Sequence, residues 1–316
     1  MGRLLRLHTL LAGTACWASF AIAQDSTSAY PATLAGHALM PAASFIQPPA
    51  DAPADFAISG KFSNGQRNER VGSLEGLSAN RPTGMSLPFE GQPLQGHSGI
   101  KHMPDGSFWV LTDNGFGTKA NSADAMLHLS HYTIDFQRGD FKRLATVFLS
   151  DPDKKVPFRI VHEGTPARYL SGADFDPESF QLIGDSIWIG DEFGPYLIKT
   201  DLKGRVQAVF DVEADGKPVR SPDNPAVTTP AWPADAMSFQ VRRSKGLEGM
   251  AAAKDGSKLY ALLEGPLWDA ASRGAEQRDG KSVLRVLEFD IASEAWTGRH
   301  GSTRWSSPAT PSATST

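Results

Sequence analysis

Pro177-Glu178-Ser179-Phe180, the turn Gly184-Asp185 and Ile187-Trp188-Ile189-Gly190-Asp191-Glu192 form the stretch that decides the fold. Two short strand-like segments flank a Gly-Asp turn, the signature of a β-hairpin. The pattern occurs twice more. Ser98-Gly99-Ile100, Pro104-Asp105-Gly106 and Phe108-Trp109-Val110-Leu111-Thr112-Asp113-Asn114 come before it. Leu247-Glu248-Gly249-Met250, Lys254-Asp255-Gly256 and Leu259-Tyr260-Ala261-Leu262-Leu263-Glu264 come after it. Each second strand carries an aromatic residue, and an acid stands four positions later: Asp113, Glu192 and Glu264.

Working outward, each hairpin leads to a third strand ending on Asp: His131 to Asp135, Leu197 to Asp201 and Arg285 to Asp290. Arg143 to Leu149 and Arg205 to Val212 supply a fourth strand for the first two units. Four antiparallel strands per repeat make the blade of a β-propeller. The aromatic positions 109, 188 and 260 are 79 and 72 residues apart, more than the roughly 40–50 of compact blades. Long loops are therefore inserted, at Ser150 to Gly172 and Lys217 to Pro233. No long amphipathic helical pattern is present. The expectation is an all-β propeller of four-stranded antiparallel blades, incomplete in blade number, with Trp109, Trp188 and Tyr260 in blade cores. Further strand-like pieces lie from Phe56 to Phe62 and Leu74 to Leu77.

The ends differ in composition. Arg3 and Arg6, an apolar run from Leu7 to Ile22 and the small-x-small Ala21-Ile22-Ala23 read as an export signal over residues 1–23. Its removal takes away the single cysteine, Cys16, and leaves 29 basic against 35 acidic residues, a net charge of −6. Such a chain has no disulfides, and its acidity argues against nucleic acid or an anionic membrane as partner. No membrane span is expected after cleavage, and the location is periplasmic or secreted. Residues 24–54 read as an Ala/Pro-rich linker, 55–297 as the propeller domain, and 298–316 as a disordered Ser/Thr/Pro-rich tail. Oligomeric state is not legible.

Strand polarity places the acids. First strands start where second strands end, so Glu178, Glu248, Asp113, Asp191, Glu192 and Glu264 are expected on one face, near the channel. Glu75 in Leu74-Glu75-Gly76-Leu77 repeats the Leu247-Glu248-Gly249-Met250 pattern and joins them. So many carboxylates repel one another unless a cation lies among them, and an all-oxygen donor set suits calcium, then magnesium, better than zinc. Glu75, Asp113, Glu178, Asp191, Glu192, Glu248 and Glu264 are the candidate metal ligands. Glu178, Glu192 and His97 are the candidate catalytic residues, His97 because it falls where other units carry a first-strand acid. Structural carboxylates capping turns at strand ends are the competing reading. Asn114, before Gly115, reads as a turn residue or a neutral ligand. Lys101, Arg168, Arg242, Arg243 and Lys245 are candidate phosphate-neutralising cations.

Gly172-Ala173-Asp174-Phe175-Asp176-Pro177-Glu178, Trp188-Ile189-Gly190-Asp191-Glu192-Phe193-Gly194-Pro195 and Lys245-Gly246-Leu247-Glu248-Gly249-Met250 resemble the phytase-like, esterase-like propeller family of exported bacterial proteins. The resemblance spans about residues 55–296. It implies a propeller and hydrolysis of a small-molecule phosphoester or other ester, assisted by calcium. Family members continue with further blades, whereas Thr297 to Thr316 resembles nothing in the family. The expectation is a chain shortened by truncation or a shifted reading frame. Two other classes stay open: a calcium-dependent lactonase-like propeller, and a non-enzymatic propeller that binds a ligand or protein at its acidic face.

Overall fold

The computed structural model describes residues 31–304 except 79, 233, 234, 236, 270 and 271. The chain divides into two units. In Met1–Ala35 the described residues, 31–35, hold no regular secondary structure. Gly36–Thr316 contains every described strand. The signal reading of residues 1–23 falls outside the described residues. Among them, no helix is long and apolar enough to cross a membrane.

The fold is all-β; among the described residues helix is confined to two short 3-10 turns, Ala54–Ala57 and Lys119–Asn121. Three antiparallel sheets follow in chain order, two of four strands and one of five. The first holds β1 (His97–His102), β2 (Phe108–Thr112), β3 (His128–Asp135) and β4 (Asp140–Phe148). The second holds β5 (Pro177–Ile183), β6 (Ser186–Asp191), β7 (Tyr196–Asp201) and β8 (Val206–Asp211). The third holds β9 (Leu247–Ala252), β10 (Lys258–Leu263), β11 (Lys281–Asp290) and β12 (Ala295–Arg304). The first two are simple meanders with sequential neighbours paired; in the third, β9 to β12 pair in order and a two-residue strand, Gln277–Arg278, adds to the start of β11. The turns work as their residues suggest. Gly106 and Gly256 take φ of 84° and 72°, which costs glycine little. Asp105 and Asp255 accept the N–H groups of Ser107 and Ser257, two residues on.

The sheets pack through two apolar layers. Leu111, Leu129, Phe180, Ile187 and Ile189 lie between the first and second. Trp188, Leu197, Leu259, Ala261, Leu287 and Phe289 lie between the second and third. Both faces of the second sheet are thus buried, and each such side chain contributes about 1.5–3 kcal/mol. Equivalent side chains reach to the following sheet. Lys101 Nζ donates to Gln181 Oε1 at 2.6 Å, and Gln181 Nε2 donates to the Met250 carbonyl at 2.8 Å.

That regularity corrects the expected aromatic core. Trp188, 1% exposed, faces the third sheet, and the half-buried Trp109 packs toward the second. Tyr260 is 37% exposed. Its face of the third sheet has no following four-stranded sheet among the described residues.

Two domain boundaries also move. Residues 298–304 continue β12, paired with β11 from Asp290↔Ala295 to Val283↔Arg304. The third unit thus has a fourth strand where the sequence suggests a structureless tail. Its composition, Thr-Gly-Arg-His-Gly-Ser-Thr, carries no apolar alternation because most of its side chains are exposed. Backbone pairing and the Trp296–Phe289 ring contact at 5.1 Å hold it instead. Residues 305–316 lie outside the described set. At the other end, Phe45–Ile46 pairs with Gln92–Pro93, and Ile46 is 4% exposed, so this part of the expected linker belongs to the folded body. Leu74–Ser78 pairs with Arg81–Leu87 as a separate hairpin.

The long insertion after β4 is organised around buried charge. Asp151, fully buried, accepts the backbone N–H groups of Lys155 and Val156 at 2.6 and 3.1 Å and pairs with Arg168 at 2.9 Å. Arg168 also pairs with Glu163. With its side chain only 3% exposed, Arg168 is an internal clamp and not the phosphate-binding cation expected.

Candidate functional site

The site is built from a backbone irregularity repeated in all three sheets. Pairing of the first two strands shifts by one residue between His97 and Gly99, between Pro177 and Ser179, and between Leu247 and Gly249. The residues left out of register are Ser98, Glu178 and Glu248. A β-bulge re-aims the extra side chain, and here it does so at one end of each sheet. Just beyond, the N–H groups of Asp113, Glu192 and Glu264 donate to the carbonyls of Gly96, Asp176 and Gly246 at 2.8, 2.9 and 2.8 Å. The acids four residues past each aromatic are therefore structurally equivalent.

Two groups of three carboxylates result. Ligand oxygens of Asp176, Glu178 and Glu192 lie within 4.8 Å of one another, and so do those of Glu192, Glu248 and Glu264. Glu192 belongs to both. Lys245 Nζ approaches Glu264 at 2.5 Å. Glycines make the room: a Cβ on Gly246 would stand 2.3 Å from the Glu192 carbonyl oxygen, and one on Gly96 2.2 Å from the Asp113 carboxylate.

The electrostatics follow from crowding. Burial raises the pKa of Asp176, and Glu178, Asp113 and Asp191 push it further. Burial likewise raises Glu192, reinforced by the neighbouring Glu264 carboxyl and by the charges of Asp176 and Glu178. Glu178 is raised by burial, against Ser98, which lowers it. Glu248, although exposed at its outer edge, is raised by partial desolvation and by Glu264. Burial also acts on Glu264, yet Glu192 and Lys245 outweigh it and lower its pKa. Burial holds Asp113 at about 6, even though its carboxylate accepts the Gly115 N–H at 2.7 Å.

The expected residues therefore divide. Glu178, Glu192, Glu248 and Glu264 come together in the two groups. Asp113 stands outside both but acts electrostatically on Asp176 and Glu178. Asp191 is fully buried and spends its carboxylate on the N–H groups of Asp176, Phe193 and Gly194, at 2.8, 3.3 and 2.8 Å. Those bonds shape the strand end that carries Glu192, and burial still raises Asp191 to about 6. Glu75 is exposed and sits in register opposite Ser86; the irregularity in its hairpin falls on Gly76. It joins neither group. His97 is the in-register partner of Thr112, so Ser98, and not His97, occupies the position of Glu178 and Glu248. His97, an exposed residue, borders an apolar cavity with Met40, Val110 and Tyr132, and partial desolvation there lowers its pKa.

Asp176 is the residue that sequence reasoning misses. It precedes Pro177, in the position that Gly96 and Gly246 hold in the other units, so the repeat itself hides it. Its signal is local: Asp-Pro-Glu opening a strand. Asn114 carries more than a turn. It is 2% exposed, donates its backbone N–H to Asp176 Oδ1 at 3.1 Å, and among the described residues has no partner for Nδ2.

A family model described as phytase-like, esterase-like activity of phytase, matches residues 92–314. The chain belongs to this phytase-like family. The match runs past residue 297, so β12 lies inside the family region, contrary to the reading that nothing after Trp296 resembles it. This phytase-like chain is 30% identical over 232 residues to an uncharacterized secreted protein of Arthroderma benhamiae, covering 60% of the chain and 45% of that protein. It thus spans less than half of the length of that relative. Among solved structures, the periplasmic gluconolactonase of Pseudomonas aeruginosa aligns with TM-score 0.33 and 15% identity, over 75% of this chain and 66% of the other. A candidate 6-phosphogluconolactonase of Bacteroides fragilis aligns with TM-score 0.28 and 13% identity, over 68% and 58%.

Proposed function

We propose that the three sheets are successive blades of a propeller and that the chain is an exported, metal-dependent esterase acting on phosphoesters. The observation that carries the reading is the pair of three-carboxylate groups sharing Glu192. Oxygens within 4.8 Å of one another suit a hard cation, since calcium holds its ligands at about 2.3–2.6 Å. The donor set is all oxygen, which favours calcium or magnesium over zinc.

Glu192, Glu248 and Glu264 are the residues we assign to the cation. Glu248 is exposed and Glu264 half-buried, so a hydrated ion can enter and keep some of its water. Such a cation supplies charge stabilisation to the oxygens of the ester undergoing attack. Glu178, half-buried beside Asp176, takes a proton from the attacking water, and its raised pKa makes it a better base. The water oxygen bonds to phosphorus, the bond to the alcohol oxygen breaks, and that oxygen leaves with a proton. Ser98, which holds the equivalent bulge position in the first sheet, acts to lower the Glu178 pKa. Lys245 offsets the negative field that would otherwise repel an anionic ester.

The test is turnover of p-nitrophenyl phosphate and melting temperature, each with calcium, magnesium or chelator. Calcium-dependent phosphate release supports the reading. Lactone hydrolysis without phosphate release moves the chain to the lactonase class. A melting temperature indifferent to all cations, with no turnover, leaves a binding protein.

A further inference from the structure

A cavity of about 430 Å³ opens beside Glu264, bordered by Arg242, Lys245, Trp268 and Leu284. That volume lies in the range of small-molecule sites, roughly 300–1,000 Å³. Two features of its wall differ from the acidic groups next to it. Arg242 sets its guanidinium 4.3 Å from the centroid of the Trp268 ring, and it forms no ion pair among the described residues. The rest of the wall is mostly apolar, Gly265, Pro266, Ala275 and Leu284, with Ser282 as its one further polar side chain.

The wall is anchored. The Trp268 N–H donates to the Gln240 carbonyl and the Glu276 N–H to that of Leu267, both at 2.7 Å. Phe239 stacks near-parallel to Trp268 with centroids 6.2 Å apart. The pairs Trp268↔Ala275 and Asp269↔Gly274 close the hairpin. A ligand entering here therefore meets a pre-formed surface, which lowers the ordering cost of binding.

We infer that this cavity is the subsite for the alcohol portion of an anionic ester whose alcohol is aromatic or comparably bulky and apolar. Arg242 and Lys245 receive the anionic group at the mouth shared with Glu264. The apolar body lies along Trp268, Pro266, Ala275 and Leu284. A guanidinium beside an indole, with no ion pair among the described residues, suits an anion joined to a ring, whereas a small alkyl ester leaves the apolar wall unfilled. The inference rests on the proposed esterase reading, because it puts the ester next to the carboxylates assigned to the cation.

The experiment is calorimetric titration of the whole chain, in calcium, with phenylphosphonate and with methylphosphonate, neither of which is hydrolysable. Phenylphosphonate is expected to bind at least tenfold tighter. Trp268→Leu is expected to abolish that preference. Arg242→Gln, at an exposed position, is expected to weaken both phosphonates about tenfold with an unaltered melting temperature. Equal affinity for the two phosphonates, or a ring preference that survives Trp268→Leu, overturns the subsite. If calcium does not shift the melting temperature but the Trp268-dependent preference remains, the cation reading fails and the subsite stands.

Discussion

Carboxylate oxygens of Glu192 and Glu264 lie within 4.8 Å of one another, although the two residues end equivalent strands in neighbouring sheets. One proton shared between two acids is how a protein tolerates such a contact without a cation. The same pair is therefore where a cation would have its largest effect.

Calcium is expected to raise the melting temperature of the wild type and not of Glu192→Gln. At about 100 times its dissociation constant a ligand adds about 2.7 kcal/mol, which is several degrees for a chain of this size. Differential scanning calorimetry with and without chelator checks this. A full calcium response in Glu192→Gln defeats the shared-ligand assignment.

Glu178→Gln separates proton transfer from cation binding. Turnover of p-nitrophenyl phosphate is expected to fall by about 10²-fold or more, with the calcium-induced shift retained. If the shift disappears along with the activity, Glu178 belongs to the cation and the division of roles fails.

Without cations, stability is expected to fall as pH rises. Asp176 and Glu192 have raised folded pKa values, and Asp113 and Asp191 stand at about 6. A raised acid binds its proton more tightly in the folded state, so its stabilising contribution is complete below the unfolded pKa near 4. That contribution is lost as pH climbs through the folded value. Melting curves in chelator are expected to decline from pH 5 upward, and calcium is expected to flatten them. A rise in stability across that range contradicts the crowding described.

His128 acts in the opposite direction on the acid side. It is 1% exposed, hydrogen-bonds Met126 and Thr112, and burial lowers its pKa to about 4. The unfolded chain then binds the proton first, so stability present above about pH 6.5 is lost as pH falls toward 4. A tenfold difference in proton affinity between the folded and unfolded chain corresponds to about 1.4 kcal/mol. His128→Gln is expected to melt lower at neutral pH but with a flatter profile between pH 6.5 and 4.5, read by circular dichroism.

Arg168→Met is expected to cost about 3–5 kcal/mol, because Asp151 remains buried without its partner. Chemical denaturation measures the loss. The double variant Arg168→Met with Asp151→Leu is expected to recover part of it, which a surface phosphate-binding arginine would not show.

The repeat is legible because it is written in local chemistry. Asp105-Gly106, Gly184-Asp185 and Asp255-Gly256 mark turns, and β-rich segments on either side supply the strands. β12 is not legible, since an exposed outer strand held by backbone bonds needs no apolar alternation. Tyr260 misleads for the converse reason: its aromatic identity matches Trp109 and Trp188, but exposure depends on the neighbouring sheet. Four of the seven expected ligands fall in the carboxylate groups because acid position tracks strand polarity. Glu75 and His97 do not share the bulge position, and a bulge is a one-residue offset that pattern matching does not register. Asp176 escapes notice because its counterparts are glycines.

The sequence by itself determined the all-β class, the three hairpin units, the phytase-like family and the end of each sheet at which the acids gather. Turn propensity and period-two patterning act over a few residues, so a linear reading recovers them. Only the tertiary structure decided which acids meet. Glu192 reaches Glu178 in its own sheet and Glu248 and Glu264 in the next through bulges and inter-sheet packing, and Glu264 lies 72 positions along the chain from Glu192. Burial of that meeting point sets the charges, and burial is a property of the packed sheets and not of any one strand.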